Sequence, residues 1–151
     1  MKILVPVDGS KYTGICLKAV SFLCKGKEAD VYVMTAIPHL SDIDLELTPS
    51  DRETMQNSFE RRGEEILEKS KKELESYGIH KITTVLDRGE SISREILDFA
   101  EKEKFNLIVI GIKGLSDQPR FLVGSVTEKV VKHSPCCVFV VKEECSDFLT
   151  M

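Results

Sequence analysis

The sequence predicts an α/β protein in which a parallel sheet is sandwiched between two layers of helices. Three observations carry this. Five short segments of strand length punctuate the chain, and the first, Lys2–Val7, is a continuous apolar run rich in β-branched residues. It lacks the alternation expected of a strand with one wet face, so it reads as buried on both sides. Segments of helical period lie between them. Glycine, serine or proline marks most of the junctions. Strands alternating with helices build a parallel sheet with right-handed crossovers and helices on both faces, hence a three-layer sandwich.

Each element follows from its own residues. Lys2–Val7 (KILVPV) is the first strand, ended by Asp8-Gly9-Ser10. Ser10 caps a helix through Leu23, whose Ile15, Cys16, Ala19, Val20 and Leu23 share one face, and Gly26 stands where a C-terminal cap belongs. Val31–Ile37 is the second strand, stopped by Pro38. A polar, acidic connection follows, and Ser50 and Glu53 have capping-box spacing ahead of a long helix. The stripe of that helix runs Met55, Phe59, Gly63, Ile66, Leu67, Ser70, Leu74, Tyr77, with its charged residues on a solvated opposite face and Gly78 closing it. Lys81–Leu86 is the third strand, followed by Asp87-Arg88-Gly89. Ile92–Glu103 is a helix with Ile92, Ile96, Phe99 and Ala100 inward. Leu107–Ile110 is the fourth strand. Ser125 and Glu128 repeat the capping-box spacing before a short helix, Val126–Lys132, and Cys137–Val141 is the fifth strand. Residues 1–151 are expected to form one domain, with 142–151 a loose tail.

Composition narrows the function. The 151 residues are 42% hydrophobic and 30% charged, an ordinary folded composition. A net charge of −4 gives no basic footprint for nucleic acid. No apolar run approaches membrane-span length, and that of MKILVPVDGS is too short for a signal peptide. Five cysteines without CxxC spacing argue against a disulfide framework or zinc site, and a reducing cytoplasm is the expected location.

The stretch with the most chemistry is 107–125, LIVIGIKGLSDQPRFLVGS. A buried strand runs into Gly111, Gly114 and Gly124, and the last precedes a helix start at Ser125. Backbone N–H groups approach an anion closely where side chains are absent, and a helix N-terminus adds partial positive charge. The spacing Gly-x2-Gly-x9-Gly-Ser matches neither GxxxxGK[ST] nor GxGxxG. Taken alone, Gly111 and Gly114 are equally consistent with a left-handed turn.

Other candidates have bland readings beside the functional ones. Asp8 either caps a turn or meets a sugar or a metal. Asp42, Asp44 and Glu46 are either magnesium ligands or a solvated loop. Lys113 and Arg120 either reach phosphate or are surface charge. His39, His80 and His133 read as surface residues, His39 nearest the expected pocket. Cys136-Cys137 reads as the buried entry to the fifth strand, and Cys145 as the accessible thiol. No nucleophile–base pair suited to dedicated catalysis stands out.

Three pieces together, VPVDGS, GIKGLSDQPRFLVGS and HSPCCVFVV, resemble the universal stress protein family over nearly the whole chain. The resemblance implies a Rossmann-like, five-stranded parallel sheet in order 3-2-1-4-5 and a homodimer formed through the last strand, Cys137–Val141. Family members with this glycine pattern bind ATP, so it further implies an adenine nucleotide (ATP, or AMP or ADP) with Mg²⁺ or Mn²⁺ bridging the phosphates. Gly111, Gly114, Gly124 and Ser125 match the phosphate and ribose loop, with Lys113 as its cation, and Val126 and Thr127 follow as backbone donors. Pro6 and Asp8 match positions beside adenosine, and Ala36 the position whose backbone meets adenine. This chain departs from the family in having Ile112-Lys113 inside the loop and Gly89-Glu90-Ser91 where Gly-x-Pro is common. The implied role is a nucleotide-binding, stress-response regulator acting on a protein partner that the sequence does not name. A nucleotide-free dimeric scaffold and a slow ATPase that needs a partner are the alternatives.

Overall fold

The computed structural model describes residues 1–40, 46–115 and 122–149. The elements in chain order are β1 (Lys2–Pro6), α1 (Lys11–Cys24), β2 (Asp30–Pro38), α2 (Pro49–Ser76), β3 (Ile82–Gly89), α3 (Ile92–Lys102), β4 (Leu107–Gly111), α4 (Ser125–His133), β5 (Cys137–Val141) and α5 (Cys145–Phe148). The five strands form one parallel sheet in the order β3-β2-β1-β4-β5.

Strand alternation divides the core in two. Ile3, Val5, Val31, Val33, Val109 and Val141 face α1 and α2, whereas Leu4, Met34, Ile108 and Ile110 face α3 and α4. The chain steps outward from β1 to β2 to β3, then returns across the sheet to β4. Right-handed connections therefore put the first two helices on one face and the next two on the other. Ile3, Leu4 and Val5 are fully buried, each contributing on the order of 2 kcal/mol of hydrophobic stabilisation. This is why β1 reads as an unbroken apolar run.

β1 and β4 pair in register only at Ile3–Leu107 and Leu4–Ile108, whereas β4 and β5 stay paired over five positions. The lower end of the β1–β4 seam is closed by Asn106, whose Oδ1 accepts from Lys2 N at 2.7 Å and whose N–H donates to Lys2 O at 2.9 Å. Above it, Val7 N–H donates to Met34 O on β2 and Ile112 N–H to Val141 O on β5, at 2.8 and 2.9 Å. The two strands lean away from each other and open a crevice at their carboxyl ends.

Several expected boundaries shift for physical reasons. β3 continues through Asp87-Arg88-Gly89 because β2 extends to Pro38 and supplies partners that far. α2 is capped by Thr48, whose Oγ1 accepts from Asp51 N at 3.1 Å, with Pro49 at the first turn, so Ser50 lies inside the helix. Ser125 likewise does not cap α4: Gly124 takes that position, with no side-chain capping bond. Ile92 is not inward but 44% exposed. The tail is not loose throughout, because α5 packs on α1 and sets Phe148 edge-on to Phe22 with 5.3 Å between ring centroids.

The cysteines exchange their expected roles. Cys137 is exposed at the start of the edge strand and Cys136 is half-buried, whereas Cys145 is half-buried against the core and accepts from Lys142 N at 3.4 Å. Cys16 is 1% exposed, and burial, then the nearby Asp8 and then Cys145, push its thiol from 9.0 up to about 12. At pH 8 Ellman's reagent is expected to leave Cys16 unmodified until denaturant is added. A thiol whose pKa is raised by folding stabilises the native state fully below its ordinary value. That contribution is lost as the pH climbs from about 9 towards 12, which alkaline titration of the urea midpoint checks.

Candidate functional site

The ends of β1 and β4 diverge beneath a cleft of about 450 Å³ at the carboxyl edge of the sheet. This is the topological switch point, where an open parallel sheet offers strand-end backbone and two outgoing helices to one ligand. From β1 come Pro6 and Asp8, and from the end of β2 comes Ala36. Gly111, Lys113 and Gly114 line it from the loop after β4, and Gly124, Ser125, Val126 and Thr127 from the start of α4. All ten residues singled out in the sequence therefore meet on one cavity.

The glycines there are required for space and not for handedness. Among the described residues, glycines of positive φ are Gly9, Gly26 and Gly78, so the left-handed reading of Gly111 and Gly114 does not hold. A Cβ on Gly111 would stand 2.6 Å from Tyr12 Cβ on α1. One on Gly124 would come within 3.2 Å of Ile112 O, which accepts from Gly124 N at 2.8 Å and closes the neck of the loop. One on Gly114 would collide with Asp8 Oδ2.

Asp8 explains that last contact. Its Oδ1 accepts from Ser10 N at 2.9 Å, and its Oδ2 accepts from Leu115 N at 3.0 Å. One carboxylate thus ties the turn after β1 to the glycine loop after β4, across the crevice, with charge-assisted bonds. Two buried threonines perform a related task inside. Thr35 Oγ1 donates to Val7 O at 2.8 Å, and Thr127 Oγ1 to Gly111 O at 2.6 Å. Each satisfies a strand-end carbonyl where the sheet stops pairing. Because Gly124 supplies no capping side chain, the first N–H groups of α4 face the cleft without the usual oxygen acceptor.

Other readings separate here. Asp42, Asp44 and Arg120 lie outside the described residues, and Glu46 is exposed. His39 is exposed just past β2, whose last lining residue is Pro38. Phe59, Arg62 and Ile66 of α2, none of them among the expected site residues, also line the cleft. Phe59 and Ile66 were read as core, and Arg62 as part of a solvated face. Among the described lining residues the titratable side chains are Asp8, Tyr12, Cys16, Arg62 and Lys113. Both Asp8 oxygens hold backbone N–H groups and Cys16 is held protonated, which leaves the cationic Arg62 and Lys113 as the charged side chains suited to gripping an anion.

A five-stranded parallel sheet of order 3-2-1-4-5 with a cleft at its switch point defines the class as a doubly wound α/β protein. The chain belongs to the universal stress protein family, whose model matches residues 1–142. It is 36% identical over 142 residues to universal stress protein MJ0531 of Methanocaldococcus jannaschii, covering 94% of this chain and 82% of that protein. The solved structure of the hypothetical protein MJ0577 aligns with a TM-score of 0.80 and 32% identity, over 94% of this chain and 95% of that one. The universal stress protein of Archaeoglobus fulgidus in complex with dAMP aligns with a TM-score of 0.67 and 24% identity, over 94% and 98% of the two chains.

Thr127→Val is expected to lower stability by about 1–3 kcal/mol, because Gly111 O stays buried and loses its donor. Urea unfolding of the variant against Thr127→Ser, which keeps the hydroxyl, checks it.

Proposed function

We propose that the protein is a stress-response regulator of the cytoplasm that holds an adenine nucleotide in the switch-point cleft and acts as a homodimer. The observation that carries the reading is the convergence of glycine-loop backbone, Ser125 and the uncapped start of α4 on one cavity. Phosphate oxygens would take the N–H groups of Val126 and Thr127 and the Ser125 hydroxyl, with Gly111, Gly114 and Gly124 letting them approach and Lys113 adding charge. Adenosine would lie along Pro6, Asp8 and Ala36. The Archaeoglobus fulgidus protein, alike in fold, is in complex with dAMP, which supports this class of ligand. Mg²⁺ or Mn²⁺ enters through the phosphates. Among the described residues no cluster of three His, Cys, Asp or Glu side chains forms a metal site, and Asp8 is the one lining carboxylate.

Protein released from heat denaturation is expected to yield adenine nucleotide on ion-pair chromatography, or the empty protein to gain melting temperature with millimolar Mg-ATP. Gly114→Val, which drives a side chain into Asp8, is expected to weaken binding at least about ten-fold while the core still melts cooperatively. Wild type with neither nucleotide nor a thermal shift sinks the reading in favour of an empty scaffold.

The dimer would form through β5. Among the described residues this strand has a neighbour on one side only, β4, and it carries Val138, Phe139 and Val140 half-buried with Cys137 exposed. Light scattering at micromolar concentration is expected to give twice the chain mass. A monomer contradicts the dimer without touching the nucleotide.

A further inference from the structure

We infer that Arg62 of α2 forms, with Phe59, the outer wall of a slot that grips the flat face of a purine, a role that rests on the nucleotide reading above. The cleft has two opposed sides, because α2 and α3 lie on opposite faces of the sheet. From α3 it is lined by Ile92 and Ile96, and from α2 by Phe59, Arg62, Gly63 and Ile66. The end of β2 forms the floor between them.

Positions 59, 62, 63 and 66 share one helical face by their i, i+3, i+4, i+7 spacing. Gly63 brings that face down onto the sheet. A Cβ there would lie 2.6 Å from Leu86 Cδ1 and 3.2 Å from Ile37 Cγ2, so α2 rests directly on the ends of β2 and β3. Ile66, one turn on, contacts the turn after β1, with its Cδ1 3.1 Å from where a Cβ of Gly9 would be. Arg62, on the same helical face, therefore lines the cleft from the helix that rests on β2, whereas the start of α4, where the phosphates would lie, lines it from the β4 side.

Three properties suit Arg62 to the base and not the phosphates. It has no hydrogen-bond or ion-pair partner among the described residues, although Arg88, at the end of β3, pairs with Glu60 of the same helix at 2.8 Å. Its planar guanidinium stacks on aromatic faces, which a lysine ammonium does not do as well. And Ile92, 44% exposed on the opposite side, is an apolar side chain that a flat ring would cover. A heteroaromatic ring slid between Ile92 and the Phe59–Arg62 wall would be held on both faces, with its edge towards the β2 backbone at Ala36.

Calorimetric titrations of nucleotide-free protein with AMP, ATP and tripolyphosphate, for wild type, Arg62→Ala and Arg62→Tyr, test this. Arg62→Ala is expected to weaken AMP and ATP by the same factor, about ten-fold, as for loss of one base-stacking side chain. Tripolyphosphate binding should be unchanged, and Arg62→Tyr, planar but uncharged, should restore most of the loss. An effect that grows from AMP to ATP and fades in high salt makes Arg62 a phosphate clamp and overturns the proposal. So does wild-type affinity in Arg62→Ala. If wild type binds tripolyphosphate alone or nothing, the nucleotide reading itself falls and takes the slot with it. Arg62 is exposed and outside the core, so the ligand-free melting temperature should be the same in all three proteins.

Discussion

The architecture turns on the early parting of β1 and β4. Two neighbouring parallel strands pair at two positions and then lean apart, each held by its outer neighbour. The cause is topological: the helix after β1 leaves on one face, the helix after β4 on the other, and both need room above the sheet. Strand-end peptide groups that the sheet would have satisfied are then left at the mouth of a cavity. Thr35, Thr127 and Asp8 each absorb part of that cost with a polar group aimed at backbone.

Among these, Asp8 changes how the glycine loop is understood. A carboxylate that receives two backbone N–H groups, one from each side of the crevice, acts as a strut before it acts on any ligand. Gly114 is the counterpart of that strut, since only a residue without Cβ lets the carboxylate reach Leu115. The spacing of the motif therefore encodes a contact between two loops more than 100 residues apart as well as a surface for an anion.

How legible all this was depends on the range of the interactions involved. The strands were readable as short runs rich in β-branched residues between turn signals, and most inward helix residues because they recur with the helical period. The ten residues that the family resemblance implied line one cleft because loops after parallel strands converge on one edge of the sheet. Capping was read less well: Thr48 and Pro49 outcompeted Ser50, and Gly124 outcompeted Ser125, since a cap is chosen by the path of the incoming chain as much as by the side chain. The contribution of α2 was missed for a geometric reason. Its 28 residues span roughly 42 Å at about 1.5 Å each, whereas the nine residues of β2 span roughly 30 Å. Leu67, Ser70 and Leu74 cover the sheet, and Phe59 and Arg62 carry the same stripe past its edge and over the cleft. That arithmetic was available in the sequence. The exposure of Cys137 was not, because it depends on which strand forms the edge.

The seam that Asn106 closes has a kinetic side. Lys2 and Asn106 exchange hydrogen bonds across a sequence separation of 104 residues, and Leu4 on the same strand is wholly buried only once β4 and its helices are in place. The central strand β1 is synthesised before β4 and stays bare along one edge until the chain has grown by about another hundred residues. Closing so long a loop slows folding and leaves an apolar strand available to the wrong partner meanwhile. In this topology the burden on protein quality control falls on the nascent chain in the interval before β4 emerges.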